Sequence, residues 1–201
     1  MIRTFLFDMG NVLVHFSHKK MCAQIGSLCD LSAQQMGDIL FKTDLQNDFE
    51  RGHITEQQVH AQIETAVGQP LDFDGLFRAC CEIFEPNHSI IPILDTLKSR
   101  GHRLVLLSNT SISHYRYVKK NYDVLQRFDD VVVSFEVGAI KPEDAIYRAA
   151  LEKIQCEPQE CLYTDDIPEY VKQGRRHGLE TEVFTTSERF IEQLSERQIE
   201  L

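Results

Sequence analysis

Short apolar runs closed by a polar or small residue recur along the chain, at residues 4–7, 103–107, 131–133, 161–163 and 182–184. Runs this short and this uniformly apolar predict strands covered on both faces, the habit of parallel sheets. Between the later runs the spacing changes to that of helices. Residues 89–99 carry Ile90, Ile93, Leu94 and Leu97 and stop at Gly101, and residues 143–154 carry Ile146, Ala149, Ala150 and Ile154. A last helix over 187–198, with Phe190, Ile191 and Leu194, is expected to pack on the sheet. Strand and helix in alternation predict an α/β fold, a doubly wound parallel sheet of Rossmann-like form.

Residues 15–84 break the alternation. They offer helical patterns at 19–28, 32–41, 55–67 and 73–84 and no convincing strand. Ser32 and Thr55 stand where helix N-caps belong, each followed three residues later by a glutamine, Gln35 and Gln58, at capping-box spacing. The expectation is a core domain built from residues 1–14 and 85–201, with a small all-helical domain, residues 15–84, inserted after the first strand. Such an insert would lie over the carboxyl ends of the strands, where ligands of these sheets bind.

The chain has 201 residues, 42% of them hydrophobic, enough for one core with a modest insertion. A net charge of −10 argues against nucleic acid or an anionic membrane as the principal partner. A small anionic substrate remains compatible, since local cations can outweigh the global field. Six cysteines, Cys22, Cys29, Cys80, Cys81, Cys156 and Cys161, show no CxxC spacing and read as reduced thiols. With no membrane-length apolar run and no signal-peptide pattern at the start, a cytoplasmic location is expected. Oligomeric state is not legible.

The chemistry is concentrated at strand ends. Asp8 closes the first run and Asp165-Asp166 close another. A strand-end aspartate can equally serve loop amides, and an adjacent pair can cap a helix near Pro168. Adjacent carboxylates repel each other, however, and a divalent cation relieves that repulsion; hard oxygen donors select Mg²⁺. Ser108, Asn109 and Thr110 follow a strand and precede a helix, which places hydroxyls and backbone N–H groups where an anion can be held. Lys141 precedes Pro142 and is thereby biased to extended backbone at a helix start, from where its ammonium could balance the aspartates.

In this order the segments Phe7-Asp8-Met9-Gly10-Asn11-Val12, Leu107-Ser108-Asn109-Thr110, residues 134–142 ending on Lys141-Pro142, and Tyr163-Thr164-Asp165-Asp166 resemble the haloacid dehalogenase superfamily. The likeness covers nearly the whole chain, and Phe49-Glu50-Arg51-Gly52-His53-Ile54-Thr55 is typical of the small caps of that superfamily. Within it the chain looks most like the branch of capped phosphatases that includes a bacterial glucose-1-phosphate phosphatase and the N-terminal phosphatase domain of soluble epoxide hydrolases. The resemblance implies that Asp8 attacks phosphorus and forms an aspartyl-phosphate. Ser108 and Asn109 would bind the phosphoryl group, and Lys141 would neutralise charge. Mg²⁺ would be held by Asp8, the carbonyl of Gly10 and Asp166, with Asp165 acting through water or Lys141. The expected activity is Mg²⁺-dependent hydrolysis of a small soluble phosphomonoester, such as a sugar phosphate.

Two positions depart from the pattern. Most phosphatases of the superfamily carry a second aspartate two residues after the nucleophile, as acid and base; here Gly10 stands there. Losing general acid–base catalysis removes typically ~10²–10⁴-fold in rate, so a good leaving group or a substitute acid is required. His15 is a conceivable substitute, though its ordinary role would be structural. Tyr170 stands where relatives often have an asparagine steadying the metal loop. Because of Gly10, two other readings stay open: a 2-haloacid dehalogenase using Asp8, or a phosphate-binding module with little or no catalysis.

Overall fold

The computed structural model describes residues 1–201. In chain order the elements are β1 (Thr4–Phe7), β2 (Val14–His15), α1 (His18–Gly26), α2 (Ala33–Phe41), α3 (Leu45–Glu50), α4 (Glu56–Val67), α5 (Phe73–Cys81) and β3 (Glu85–Pro86). There follow α6 (Ile91–Ser99), β4 (Arg103–Ser108), α7 (Ile112–Asn121), β5 (Asp130–Val133), α8 (Ser134–Val137) and α9 (Asp144–Lys153). The chain closes with β6 (Cys161–Asp165), α10 (Pro168–Arg176), β7 (Glu180–Val183) and α11 (Ser187–Glu196).

Five strands form one parallel sheet in the order β5-β4-β1-β6-β7, the architecture expected from the sequence. Alternation along the strands fills two apolar layers. Phe5, Phe7, Leu104, Leu106 and Leu162 face one side, while Leu6, Val105, Leu107, Cys161 and Tyr163 face the other. The chain runs outward from β1 through β4 to β5, then returns to place β6 against the opposite edge of β1. β1 is thus the point where the order reverses, and the crevice beyond its carboxyl end is where such a sheet binds ligands.

The expected helices between β2 and β3 are present. Ser32 caps α2 and Thr55 caps α4, each in a complete capping box with Gln35 or Gln58, so two of the otherwise unpaired N–H groups at each helix start are satisfied by side chains. α3 was not predicted: it is six residues long and has no side-chain cap at Asp44, too short for periodicity to register. The antiparallel pair β2 and β3 lies at the root of the helical segment, with Val14 opposite Pro86 and His15 opposite Glu85. Met21, Ile25, Met36, Ile63 and Leu76 from these helices join the apolar layer that covers one face of the sheet. Predicted and observed ends differ by a few residues: α5 stops at Cys81 and β7 covers Glu180–Val183. No helix is long and apolar enough to cross a membrane.

Candidate active site

Asp8 directly follows β1, whose four residues are fully buried. Its backbone N–H donates to the carbonyl of Thr164 (3.0 Å), pinning the start of the loop to β6. The next residues turn tightly, with Asn11 in the left-handed region (φ 54°) and its N–H donating to Val14 O (2.7 Å). This turn brings the Asn11 side chain against the second acidic segment, where Nδ2 donates to Asp166 Oδ2 (3.0 Å).

Lys141 reaches the same point from the loop before α9. Its backbone is clamped by Asn109: the Lys141 N–H donates to Asn109 Oδ1 (2.6 Å) and Asn109 Nδ2 donates to Lys141 O (3.0 Å). The ammonium has three donors and three acceptors, Asp8 Oδ1 at 2.7 Å, Asp165 Oδ2 at 2.6 Å and Leu107 O at 3.1 Å. Lys141 is 1% exposed, a burial that an ammonium tolerates only when paired. Burial works against its charge, yet the Asp165 and Asp8 carboxylates hold it above the ordinary lysine range.

The two adjacent aspartates have different tasks. Asp165 is wholly buried and saturated: Oδ2 accepts from Lys141 Nζ and from the Tyr163 hydroxyl (2.6 Å), and Oδ1 accepts from the Ile167 N–H (2.8 Å). Asp166 is half-buried, and burial raises its carboxyl above the usual range despite the hydrogen bond from Asn11. Burial also pushes Asp8 up, to about 7, against the pull of Lys141. Carboxylate oxygens of Asp8, Asp165 and Asp166 all lie within 4.8 Å of one another. Ionised, they carry three negative charges against one ammonium. That deficit, an all-oxygen donor set and the absence of histidine or cysteine fit a hard divalent cation.

These groups open into a cavity of about 160 Å³. Asp8, Gly10, Asn109, Lys141 and Asp166 line it; Ser108 and Asp165 lie behind its wall. Ser108 is 1% exposed and its hydroxyl has only a long contact to Asn109 O (3.4 Å), and the Asn109 amide is committed to Lys141. The neighbouring Thr110 also lines the cavity. His15 is exposed on β2 and Arg51 pairs with Glu143, and neither lines the cavity. Tyr170 does, with its ring 5.2 Å from Lys141 Nζ in a cation–π contact. Position 170 therefore does not steady the loop of Asp166 through an amide; Asn11 holds Asp166 instead.

Sequence reasoning passed over Asn11, Tyr163, Phe16 and Glu50. An asparagine in a post-strand turn is a signal for positive φ, so Asn11 could have been noticed. Tyr163 could have been as well, because it lies two residues before Asp165 on the same face of its strand. Phe16 and Glu50 carry no local signal, since only the return of the helical segment brings them to the cavity.

Residues 2–178 match the model of the haloacid dehalogenase-like hydrolases. The chain belongs to this family. It is 22% identical over 189 residues to a D-ribitol-5-phosphate phosphatase of Bacteroides thetaiotaomicron, covering 90% of this chain and 91% of that one. It is also 23% identical over 199 residues to drimenol cyclase of Aspergillus calidoustus, covering 97% of this chain. The chain spans only 36% of the length of that cyclase. A haloacid dehalogenase family enzyme of B. thetaiotaomicron, solved in complex with magnesium and inorganic phosphate, superposes with a TM-score of 0.83 at 22% identity, over 92% of this chain and 95% of that one. The matching family is one of hydrolases.

Proposed function

We propose that this hydrolase is a phosphatase that cleaves a small soluble phosphomonoester through an aspartyl-phosphate at Asp8, with Mg²⁺ as cofactor. The observation that carries this reading is the contact of Asp8 Oδ1 with Lys141 Nζ (2.7 Å) beside Asp166, in one cavity. Lys141 fixes one oxygen of Asp8 and leaves the other to meet an electrophile. Phosphoryl transfer asks mainly for positioning and for charge to balance the equatorial oxygens, and these residues supply both. Asp8, the carbonyl of Gly10 and Asp166 would hold Mg²⁺, which when bound supplies Lewis-acid stabilisation of phosphoryl charge. Asp165 acts on the site through Lys141, holding the ammonium between two carboxylates. Thr110 and Asn109, at the turn from β4 into α7, supply the wall on which a phosphoryl group would rest, with Ser108 behind them.

The retained Asp166, exposed to the cavity, favours this reading over halide displacement, which has no use for a metal-binding carboxylate there. We further propose that α1 to α5 act as a cap. In support, His18 and Glu50 reach the cavity from that segment, and polar bridges tie it to the rest: Arg51 to Glu143, and Ser113 Oγ donating to Glu56 Oε1 (2.6 Å). The six cysteines are all free, which suits a reducing, cytoplasmic setting.

The test is phosphate release from p-nitrophenyl phosphate and from small alkyl and sugar phosphates, with Mg²⁺ or with EDTA. The expected result is Mg²⁺-dependent turnover by the wild type that Asp8→Asn lacks. Equal background in both would overturn the reading.

A further inference from the structure

Cleaving an ordinary phosphomonoester leaves an alkoxide that must take up a proton, and Gly10 brings no acid to the nucleophile loop. The structure also closes that position. A Cβ placed on Gly10 would lie 2.8 Å from Phe16 Cε1 and 3.7 Å from Asp8 Oδ2, so the Phe16 ring fills the space a side chain would need. The proton must come from another wall of the cavity.

Outside the acidic cluster and Lys141, four titratable side chains line the cavity: His18, His114, Tyr170 and Glu50. His114 is committed, its Nε2 lying 3.2 Å from Cys80 O, and burial lowers its pKa to about 4. His18 is wedged between the rings of Phe16 and Phe41, both at 4.9 Å, and burial disfavours its charged form too. Burial holds the Tyr170 phenol above its ordinary value, making its conjugate base a poor state to pass through. Glu50 differs from all three. It ends α3, in the helical segment, and brings to the cavity a carboxyl separate from the Asp8, Asp165 and Asp166 group. Gln46 Nε2 donates to Oε1 (2.6 Å), which orients the group.

We propose that Glu50 is the catalytic acid and base that Gly10 lacks, an assignment that rests on the phosphatase reading of the Asp8 site. In the first step the Asp8 oxygen bonds to phosphorus, the bond from phosphorus to the leaving oxygen breaks, and the Glu50 proton passes to that oxygen. In the second, water attacks phosphorus, its proton returns to Glu50, and the bond from phosphorus to Asp8 breaks. The sum is ester plus water giving alcohol plus phosphate. Burial raises the Glu50 carboxyl above the glutamate range, with Gln46, Lys141 and Arg51 opposing. A raised carboxyl suits a group that must be protonated before the first step.

The experiment compares Glu50→Gln and Glu50→Asp with wild type on an alkyl phosphate and on p-nitrophenyl phosphate, whose leaving group hardly needs a proton. Glutamine keeps the shape and the acceptor for Gln46. The expected result is a loss of ~10²–10⁴-fold in kcat/KM on the alkyl phosphate, with partial recovery in Glu50→Asp. The pre-steady-state burst of nitrophenolate should persist, and the alkaline limb of the pH profile should vanish in Glu50→Gln. Lys141, Arg51 and Tyr170 act on the charge of the group, and His18 and His114 share its cavity; all are unchanged in the variant, so a limb that survives belongs to one of them and overturns the assignment. Equal losses on both substrates, burst included, or an alkyl rate within about threefold of wild type, would also overturn it. Full activity in Glu50→Gln leaves the phosphatase reading standing. Absence of Asp8-dependent turnover in wild type removes both.

Discussion

Replacing Asp8, the proposed nucleophile, should make the metal-free protein relatively more stable as pH rises, while abolishing turnover. Asp8 is 7% exposed, and burial holds its carboxyl at about 7 instead of 3.8. A folded pKa above the unfolded one means that the native state binds the proton more tightly. Stability from this group is therefore complete below pH 3.8 and is lost as pH rises through 7. At about 1.36 kcal/mol for each pH interval of one, the whole loss is about 4 kcal/mol, of which about 2 to 3 kcal/mol falls between pH 5 and pH 8. Asp8→Asn does not titrate and escapes that loss. At pH 5, where the carboxyl is neutral, asparagine offers Lys141 Nζ the same kind of carbonyl acceptor as Oδ1 does at 2.7 Å, so the substitution itself costs little there. Urea unfolding of both proteins in EDTA at pH 5 and pH 8 reads the difference. The variant should lie within about 1 kcal/mol of wild type at pH 5 and gain about 2 to 3 kcal/mol on it by pH 8. A difference that stays constant between the two pH values would refute the reasoning, because an Asp8 already ionised at pH 5 has no charge left to acquire.

Three further outcomes follow from the same contacts. Lys141→Met leaves Asp165, wholly buried, and Asp8 without their counter-charge; a loss of roughly 3 to 5 kcal/mol in urea unfolding is expected, and a loss below 1 kcal/mol would contradict the geometry. Asn11→Gly keeps the backbone at φ 54° feasible but removes the donor to Asp166; Mg²⁺ affinity from titration calorimetry should fall about 10- to 100-fold, with unchanged affinity as the contrary result. Gly10→Asp alone must displace Phe16 from its 2.8 Å approach and should cost roughly 1 to 3 kcal/mol in thermal or urea unfolding, a cost that an accompanying Phe16→Ala should reduce.

What the sequence disclosed and what it hid divide along physical lines. Asp8 and Asp166 were legible because each stands at a strand end, where a local pattern fixes the direction of the chain, and Lys141 because it precedes Pro142 in the loop that leads into α9. The capping boxes at Ser32 and Thr55 were legible for the same reason. Phe16 and Glu50 were not, because they reach the cavity only through the folding-back of α1 to α5, and no periodicity encodes which residue of a short helix meets a distant strand end. Asn109 shows a third case. Its place was foreseen, but its amide is spent on the backbone of Lys141, and only tertiary structure shows that.

This division bears on how the site tolerates Gly10. A nucleophile loop that carries its own acid keeps donor and nucleophile in fixed relation, since a few residues of one turn hold both. Here Phe16 occupies that place, and Glu50, the carboxyl nearest in kind, belongs to α3, joined to the rest of the protein by contacts such as Arg51 with Glu143. If the acid comes from that segment, its distance from Asp8 depends on how the helices sit over the strand ends. Arg51→Ala removes an ion pair that is half-exposed, whose contribution to global stability is about 0 to 1 kcal/mol. Its effect on turnover should be larger than that figure implies, because a displacement of about 1 Å at a reacting group can cost 10²-fold. The two measurements together decide the matter: an unfolding midpoint near that of wild type with a clear drop in kcat on an alkyl phosphate means that the pair positions the acid, whereas unchanged kcat means that α3 is held in place without it.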